Sequence, residues 1–467
     1  MKIPGIMIAA TASGSGKTAV TCALMEALVK KGIGVAACKC GPDYIDPMFH
    51  RNVLGIDSEN LDLFFCEKEQ LRSCFTRHAS NADAAVIEGV MGYYDGMGLG
   101  TEEASSYDVA RTLGVPVILV LPCRGMALSI LAVLKGMLEF RNDSHISGII
   151  LNRISPSLYP KMKEMIVHGL REMGHDVKVL GYVPEHPAFQ LESRHLGLIL
   201  PEEIADLKKQ IEEAAEILEK SVDLDAVLAL MDSDVERKNS AESEVVPGNR
   251  DAKEPVTIAV AWDAAFCFYY KENLEILKTL GCRLVWFSPL EDSKIPEEAD
   301  GILLGGGYPE IYARQLSANA SMRQDLKEKL NQGMPCIAEC GGFLYLLEQL
   351  QGTDKSFYPM VGLLEGSAEK KERLIRFGYM NVRAEADGCY LRKGECIRGH
   401  EFHYWEAQKI GEDCLAEKPD GRRSWREIHM KNRIFAGFPH LYWGSNPEFA
   451  VRFVKECQRR RKECRRK

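Results

Sequence analysis

The chain has 467 residues, 46% of them hydrophobic and 27% charged, with a formal net charge of −8. That length exceeds one ordinary core, so two or more domains are expected. The acidic balance excludes a general nucleic-acid surface, no run reaches the ~18 apolar residues of a membrane helix, and the 15 scattered cysteines read as reduced cytosolic thiols.

The first predicted strand is Ile6–Ala9; its apolar run leads straight into Gly and Ser, which suits a strand better than a signal peptide. Thr11-Ala-Ser-Gly-Ser-Gly-Lys-Thr18 follows it and opens a helix on which Val20, Leu24 and Leu28 share one face. Small residues at Gly14, Ser15 and Gly16 let backbone N–H groups face phosphate oxygens, and the helix N-terminus adds a favourable field. Lys17 would then reach the β- and γ-phosphates and the Thr18 hydroxyl would ligate Mg²⁺. The strict phosphate-loop pattern has Gly where Thr11 stands.

Further strands are predicted at Val35–Lys39, Ala84–Ile87, Pro116–Leu121 and Gly148–Leu151, alternating with helical segments. Such alternation implies a parallel sheet covered on both faces. Asp43, just after the second strand, and Glu88, at the end of Ala-Ala-Val-Ile-Glu, are the candidate carboxylates for Mg²⁺. Either acid alone reads equally well as a loop carboxylate or helix cap; their place at strand C-termini beside the loop favours the metal. Asp46 and Asp95 lie nearby, with roles that spacing does not separate.

A charged helix is predicted over Ile204–Lys220, and the polar, Pro- and Gly-containing stretch Asp232–Glu254 reads as a linker. Alternation resumes with strands at Val256–Ala261, Arg283–Trp286, Gly301–Leu304 and Cys336–Glu339. The basic tail beginning Arg459-Arg460-Arg461-Lys462 reads as a solvated, frayed end.

Cys340 stands at the turn from the last of these strands into a helix, with Gly341 and Gly342 giving the backbone room. Such an elbow exposes a nucleophile, and a helix N-terminus is expected to lower the thiol pKa. Cys336, inside the strand, reads as inert core. Gly305-Gly-Gly-Tyr-Pro-Glu310 follows a strand, and its N–H groups suit an oxyanion hole. A thiolate needs a base, and His440, His400 and His403 are the open alternatives.

The segments SGSGKT (13–18), GPDYIDP (41–47), IEGVMGYYDG (87–96), RGMA (124–127), GIILNR (148–153) and RHLGL (194–198) resemble the cobyrinic/hydrogenobyrinic acid a,c-diamide synthase family. So do DAAFCFYYKENL (263–274), GGGYPE (305–310), AECGGFLYL (338–346) and RGHEFHY (398–404), so the likeness spans essentially the whole chain. It implies two α/β domains. The first, 1–231, would be a dethiobiotin synthetase-like domain with a P-loop NTPase-type parallel sheet. A linker, 232–254, would lead to a class I glutamine amidotransferase-like, flavodoxin-like domain at 255–467.

The resemblance further implies a cytoplasmic enzyme of cobalamin biosynthesis that takes ATP, L-glutamine and a corrinoid tetrapyrrole, with no nucleic-acid or membrane partner. Cys340, aided by His440, would release ammonia from glutamine, with Gly306, Gly307 and Gly341 around the oxyanion. ATP would phosphorylate the a and c acetate carboxylates, and ammonia would displace phosphate. Thr18, Asp43 and Glu88 resemble the Mg²⁺ set; Tyr44, Asp46 and Asp95 resemble the surroundings of the reacting carboxylate; Asn152 and Arg153 resemble a nucleotide-base contact. The division is chemically sensible: a carboxylate is a poor electrophile, an acyl phosphate a good one, and water must be kept from it.

The chain departs from the usual pattern in three places. Ala10 stands where the family's loop usually has its first Gly; Tyr442 stands where class I amidotransferases commonly have Glu, leaving a Cys–His dyad; and the second His of the His-x-His seen in many relatives is absent. The ring stays open, since hydrogenobyrinic acid and Ni-sirohydrochlorin call for the same motifs. A reading from another class, a P-loop partitioning or metal-chaperone ATPase with an inert appended domain, leaves the cysteine elbow and its glycine loop without a use.

Overall fold

A computed structural model describes residues 3–191, 201–232 and 255–466. The chain divides into two compact units, Met1–Ser243 and Glu244–Lys467. Most of the expected linker, from residue 233 to 254, lies outside the described residues, as does the segment at 194–198.

In the first unit, strands β1 (Gly5–Ala10), β2 (Val35–Cys40), β3 (Ser58–Leu61), β4 (Ala84–Glu88), β5 (Val117–Pro122), β6 (Ile146–Asn152) and β7 (Lys178–Val183) form one sheet. Its order is β3-β2-β4-β1-β5-β6-β7, and neighbouring strands are parallel throughout. The inner strands are buried on both faces, which is why they read as apolar runs. β3 and β7, which the sequence pattern did not predict, are the two edges. An edge strand pairs on one side only and carries less apolar signal, as Ser-Glu-Asn-Leu in β3 illustrates.

The helix Lys17–Lys30 is buried far beyond its predicted three-residue face. It lies in a core shared with Leu207, Ile211, Ala215 and Leu218 of the helix Pro201–Ser221. The sheet order reverses beside β1, where a crevice opens at the strand C-termini. The loop after β1 is Thr11–Gly16, so the predicted phosphate cradle sits at that switch point.

The second unit is built on β8 (Thr257–Ala261), β9 (Arg283–Phe287), β10 (Gly301–Leu304) and β11 (Cys336–Glu339), close to the predicted strands. The short strands β12 (Gln349–Gln351), β13 (Phe357–Pro359) and β14 (Ser367–Lys370) follow, then the long hairpin β15 (Arg376–Ala384) and β16 (Cys396–His403). Next come β17 (Trp405–Ala407), β18 (Cys414–Glu417), β19 (Ser424–Glu427), β20 (His429–Lys431), β21 (Ile434–Gly437) and β22 (His440–Tyr442).

The central sheet runs β20-β21-β11-β10-β8-β9, parallel except for β20. Two smaller sheets, β13-β12-β14-β17 and β19-β18-β15-β16-β22, were not predicted. Strands of three or four residues carry almost no period, although β15 does bury Met380, Val382 and Ala384 in alternation.

The basic tail is a correction to the sequence reading. It continues the helix Pro447–Arg466 instead of fraying, and Arg461 Nε donates to Asp300 Oδ1 at 2.9 Å. Asp300 is buried and needs that positive partner.

Candidate active site

The loop after β1 is shaped by two left-handed glycines, Gly14 at φ 73° and Gly16 at φ 89°. A β-carbon on Gly16 would fall 2.5 Å from Asn152 Nδ2. That amide donates to Ser15 O at 2.8 Å, its Oδ1 accepts from Arg153 N at 2.9 Å, and Arg153 Nη2 donates to Gly14 O at 3.1 Å. Asn152 and Arg153 therefore brace the loop from the end of β6, a role the sequence did not suggest. Ala10, at the non-glycine position, is fully buried, and its carbonyl accepts from Tyr93 N at 2.9 Å.

Lys17 Nζ donates to the Ala12 and Met91 carbonyls at 3.1 and 2.5 Å. Burial, then the nearby charge of Lys39, lowers its pKa to about 8. A cleft of ≈ 540 Å³ lies beside the loop, with Lys17, Thr18, Asn152, Arg153, Arg124 and Phe189 among its walls. Arg124 and Phe189 were not among the sequence candidates.

Behind the loop is a buried cluster of charge. Thr18 Oγ1 donates to Glu88 Oε1 at 2.6 Å. Lys39 Nζ lies 2.5 Å from Asp46 Oδ2 and 3.0 Å from Glu88 Oε1, and His50 Nε2 lies 3.2 Å from Glu88 Oε2. Burial alone would raise Glu88, but Lys39, His50 and Thr18 outweigh it and hold the carboxyl well below its ordinary range. Asp46 is pushed up, by burial first and then by the charge of Glu88.

Thr18, Glu88 and Asp46 are thus brought together. Asp43 Oδ1 caps the N–H of Ile45 at 2.8 Å within its own turn, while its charge reaches Lys39 and Asp46. Tyr44 is buried in that turn. Asp95 lies on a different, exposed loop, where it accepts from Gly92 N at 2.9 Å, close enough to Lys17 for its charge to be felt.

Lys39 and His50 were missed by the sequence reading. A signal existed for both: Lys39 interrupts the apolar strand Val-Ala-Ala-Cys-Lys-Cys, and His50 stands four residues after Asp46 on the helix Ile45–Asn52. Thr18 and Glu88 supply hard oxygen donors, which suits Mg²⁺. Among the described residues no three His, Cys, Asp or Glu side chains gather closely enough to hold a metal alone. An ion here would therefore need the Thr18 hydroxyl and phosphate oxygens as well.

In the second unit, Cys340 follows β11 at φ 48° and ψ −101°, a strained conformation for a residue with a β-carbon. Backbone packing enforces it: Cys340 N donates to Gly437 O at 2.8 Å and Gly342 N to Gly305 O at 2.9 Å. A β-carbon on Gly342 would lie 2.2 Å from Leu304 O, and one on Gly341 would lie 3.0 Å from Gly307 N. The elbow and the glycine loop are thus pressed together. Gly305 N donates to the Tyr269 hydroxyl at 2.8 Å, which leaves Gly306, Gly307 and Gly341 as the oxyanion candidates here.

His440 begins β22, and a β-carbon on Gly306 would lie 2.2 Å from its Cε1. His400 is its cross-strand partner. His403 instead stacks on Phe438 at 3.8 Å, with Nδ1 2.7 Å from Trp405 O. Of the three histidines, His440 is the one laid on the glycine loop.

Burial lowers His440 to about 4, although the charge of Glu401 opposes it, and lowers His400 to about 3. The expected lowering of the thiol is corrected. Burial, then Glu310 and Glu401, push Cys340 well above the ordinary range, and only the Gly341 N–H opposes them. Cys336 is likewise pushed up by burial, in keeping with a core role.

Two family models match the chain: a CobQ/CobB/MinD/ParA nucleotide binding domain over residues 6–199 and a CobB/CobQ-like glutamine amidotransferase domain over residues 257–448. The chain is 38% identical over 455 residues to a cobyrinate a,c-diamide synthase of Caldanaerobacter subterraneus, covering 97% of this chain and 98% of the relative. It is 38% identical over 447 residues to one of Listeria innocua, covering 95% and 97%. It is 39% identical over 454 residues to one of Clostridium acetobutylicum, covering 96% and 99%.

Proposed function

The chain belongs to the cobyrinate a,c-diamide synthase family, and we propose that it amidates the a and c acetate carboxylates of cobyrinic acid at the expense of ATP and glutamine. One observation carries this reading. A single chain holds both a phosphate loop with Thr18 on Glu88 and a cysteine elbow whose glycine loop bears His440. We assign the ATP-dependent step to residues 1–231 and glutamine hydrolysis to residues 255–467, joined by 232–254. Among the described residues no helix is long and apolar enough to cross a membrane.

In the glutaminase unit, burial keeps His440 neutral at pH 7, so its ring is free of a proton and can accept that of Cys340 as the sulfur bonds to glutamine. The thiol is held protonated until glutamine arrives. The sulfur then bonds to the amide carbon of glutamine, and the N–H groups of Gly306, Gly307 and Gly341 receive the oxyanion. His440 returns its proton to the departing ammonia, and water cleaves the thioester to glutamate.

In the ATP unit, a macrocycle carboxylate oxygen attacks the γ-phosphorus and ADP leaves. Ammonia then attacks the acyl carbon and phosphate leaves. Lys17 exchanges the carbonyls of Ala12 and Met91 for phosphate oxygens. Thr18, Glu88 and, from its turn, Asp43 would hold Mg²⁺, which neutralises phosphate charge when bound. Lys39 keeps Asp46 and Glu88 from repelling incoming phosphate. Asn152 and Arg153 carry the nucleotide wall of the cleft, and Tyr44, Asp46 and Asp95 surround the carboxylate that reacts.

Incubation with cobyrinic acid, ATP, Mg²⁺ and glutamine, followed by mass spectrometry, tests the proposal. Two successive acid-to-amide mass changes are expected. Amidation of hydrogenobyrinic acid or Ni-sirohydrochlorin in its place would reassign the ring while keeping the chemistry.

A further inference from the structure

The base of the glutaminase site rides on the shortest kind of strand. β22 is three residues long and is the last strand of its sheet, bonded there to β16. Its middle residue, Leu441, turns its side chain into the core, so its backbone must be held from the side away from β16.

Two side chains do so. Asn273, on the helix Lys271–Thr279, donates from Nδ2 to Leu441 O at 2.7 Å and accepts at Oδ1 from Trp443 N at 2.9 Å. Glu339, at the end of β11, accepts from the Leu441 N–H and faces the Trp443 indole N–H. Register sets Glu339 opposite Gly437, the last residue of β21 before the turn to His440. The residue preceding the nucleophile thus clasps the residue following the base.

A carboxyl in this position is costly. Glu339 is buried, its Oε1 has no hydrogen bond, and burial pushes its pKa up to about 8. An apolar side chain would pack there without that cost. What the carboxyl adds is a tie between two backbones. Within β22 itself no acid follows His440: the position two residues on is Tyr442.

We propose that Glu339, with Asn273, steadies the base by gripping the backbone of β22, and that Glu339 is a positioning residue for glutamine hydrolysis. The inference rests on Cys340 and His440 being nucleophile and base. The grip acts on strand position and leaves the imidazole itself untouched.

Glu339→Ala and Glu339→Gln test this, each assayed in the full chain for glutamate release and for amidation driven by ammonium salt. Gln keeps an oxygen for Leu441 N–H, and Ala does not. Glu339→Ala is expected to lower kcat for glutamate release about 10²-fold, the scale of losing a placed base. KM for glutamine and ammonia-driven amidation should stay within about twofold of the parent, and Glu339→Gln should restore most of kcat. A parent protein that released no glutamate would defeat the Cys340–His440 assignment itself. An active parent with an equally active Glu339→Ala, or with Ala and Gln variants impaired alike, would overturn the positioning role.

Discussion

Gly306 and His440 are in direct contact: a β-carbon at position 306 would stand 2.2 Å from the imidazole Cε1. The glycine is there because the ring is. Replacing it must push the imidazole off the glycine loop, and with it the base proposed for Cys340.

Gly306→Ala is therefore expected to cut glutamine-dependent amidation by roughly 10²–10³-fold, the range for losing a placed base or oxyanion donor. Amidation with ammonium salt should survive, since the ATP site lies in the other unit. Parallel assays with the two nitrogen donors check this, and equal losses with both would contradict it.

The buried His440 gives a pH signature. Its pKa is lowered to about 4, so falling pH protonates the base only there, not near 6.5 where an ordinary histidine titrates. The kcat/KM for glutamine hydrolysis, which reports the free enzyme, should stay flat on its acid side down to about pH 5. An acid limb centred near 6.5 would show that the base is solvated.

Lys17 predicts a proton exchange on nucleotide binding. Burial and Lys39 set its pKa at about 8, and triphosphate charge would raise it. At pH 8 the binding of ATP should then take up about half a proton, because about half of the lysine is neutral beforehand. Calorimetric titration in buffers of different ionisation enthalpy measures this; no uptake would mean that Lys17 is already fully charged.

Lys39 is the positive partner of Asp46 and Glu88 in a cluster with little solvent. Lys39→Met should destabilise the first unit by about 3–5 kcal/mol near pH 7, the cost of stranding buried charge. With the cation gone, burial pushes Asp46 up further and the hold on Glu88 weakens to that of His50 and Thr18. The loss should therefore shrink as pH falls through about 4 toward 3, where the carboxyls are protonated in both states. Far-UV circular dichroism during denaturation reads the change. Tryptophan fluorescence serves as a control, since Trp262, Trp286, Trp405, Trp425 and Trp443 all lie in the second unit. Equal loss at both pH values would contradict the account.

What the sequence disclosed follows from which physical signals are local. β1, β2, β4, β5, β8, β10 and β11 are short buried runs, and they are readable to within two residues. The phosphate loop and the cysteine elbow were readable because each packs its chemistry into one short segment. His440 could not be separated from His400 and His403 by spacing, because what distinguishes it is the contact with Gly306, more than 130 residues away. Asn152 resembles a nucleotide contact, and its hydrogen bond to Ser15 O, which spacing does not disclose, also braces the loop. The direction of the thiol shift is not legible in sequence, where only the helix N-terminus is visible: burial of Cys340, and then the approach of Glu310 and Glu401, arise in the folded chain.

The most direct test of the central claim, two separable sites in one amidating chain, is Cys340→Ala assayed with each nitrogen donor. No diamide is expected from glutamine, and parent-like formation of the diamide is expected from ammonium salt, with ATP consumed in step. Full activity with glutamine, or loss of activity with both donors in a variant that folds as the parent does, would contradict it.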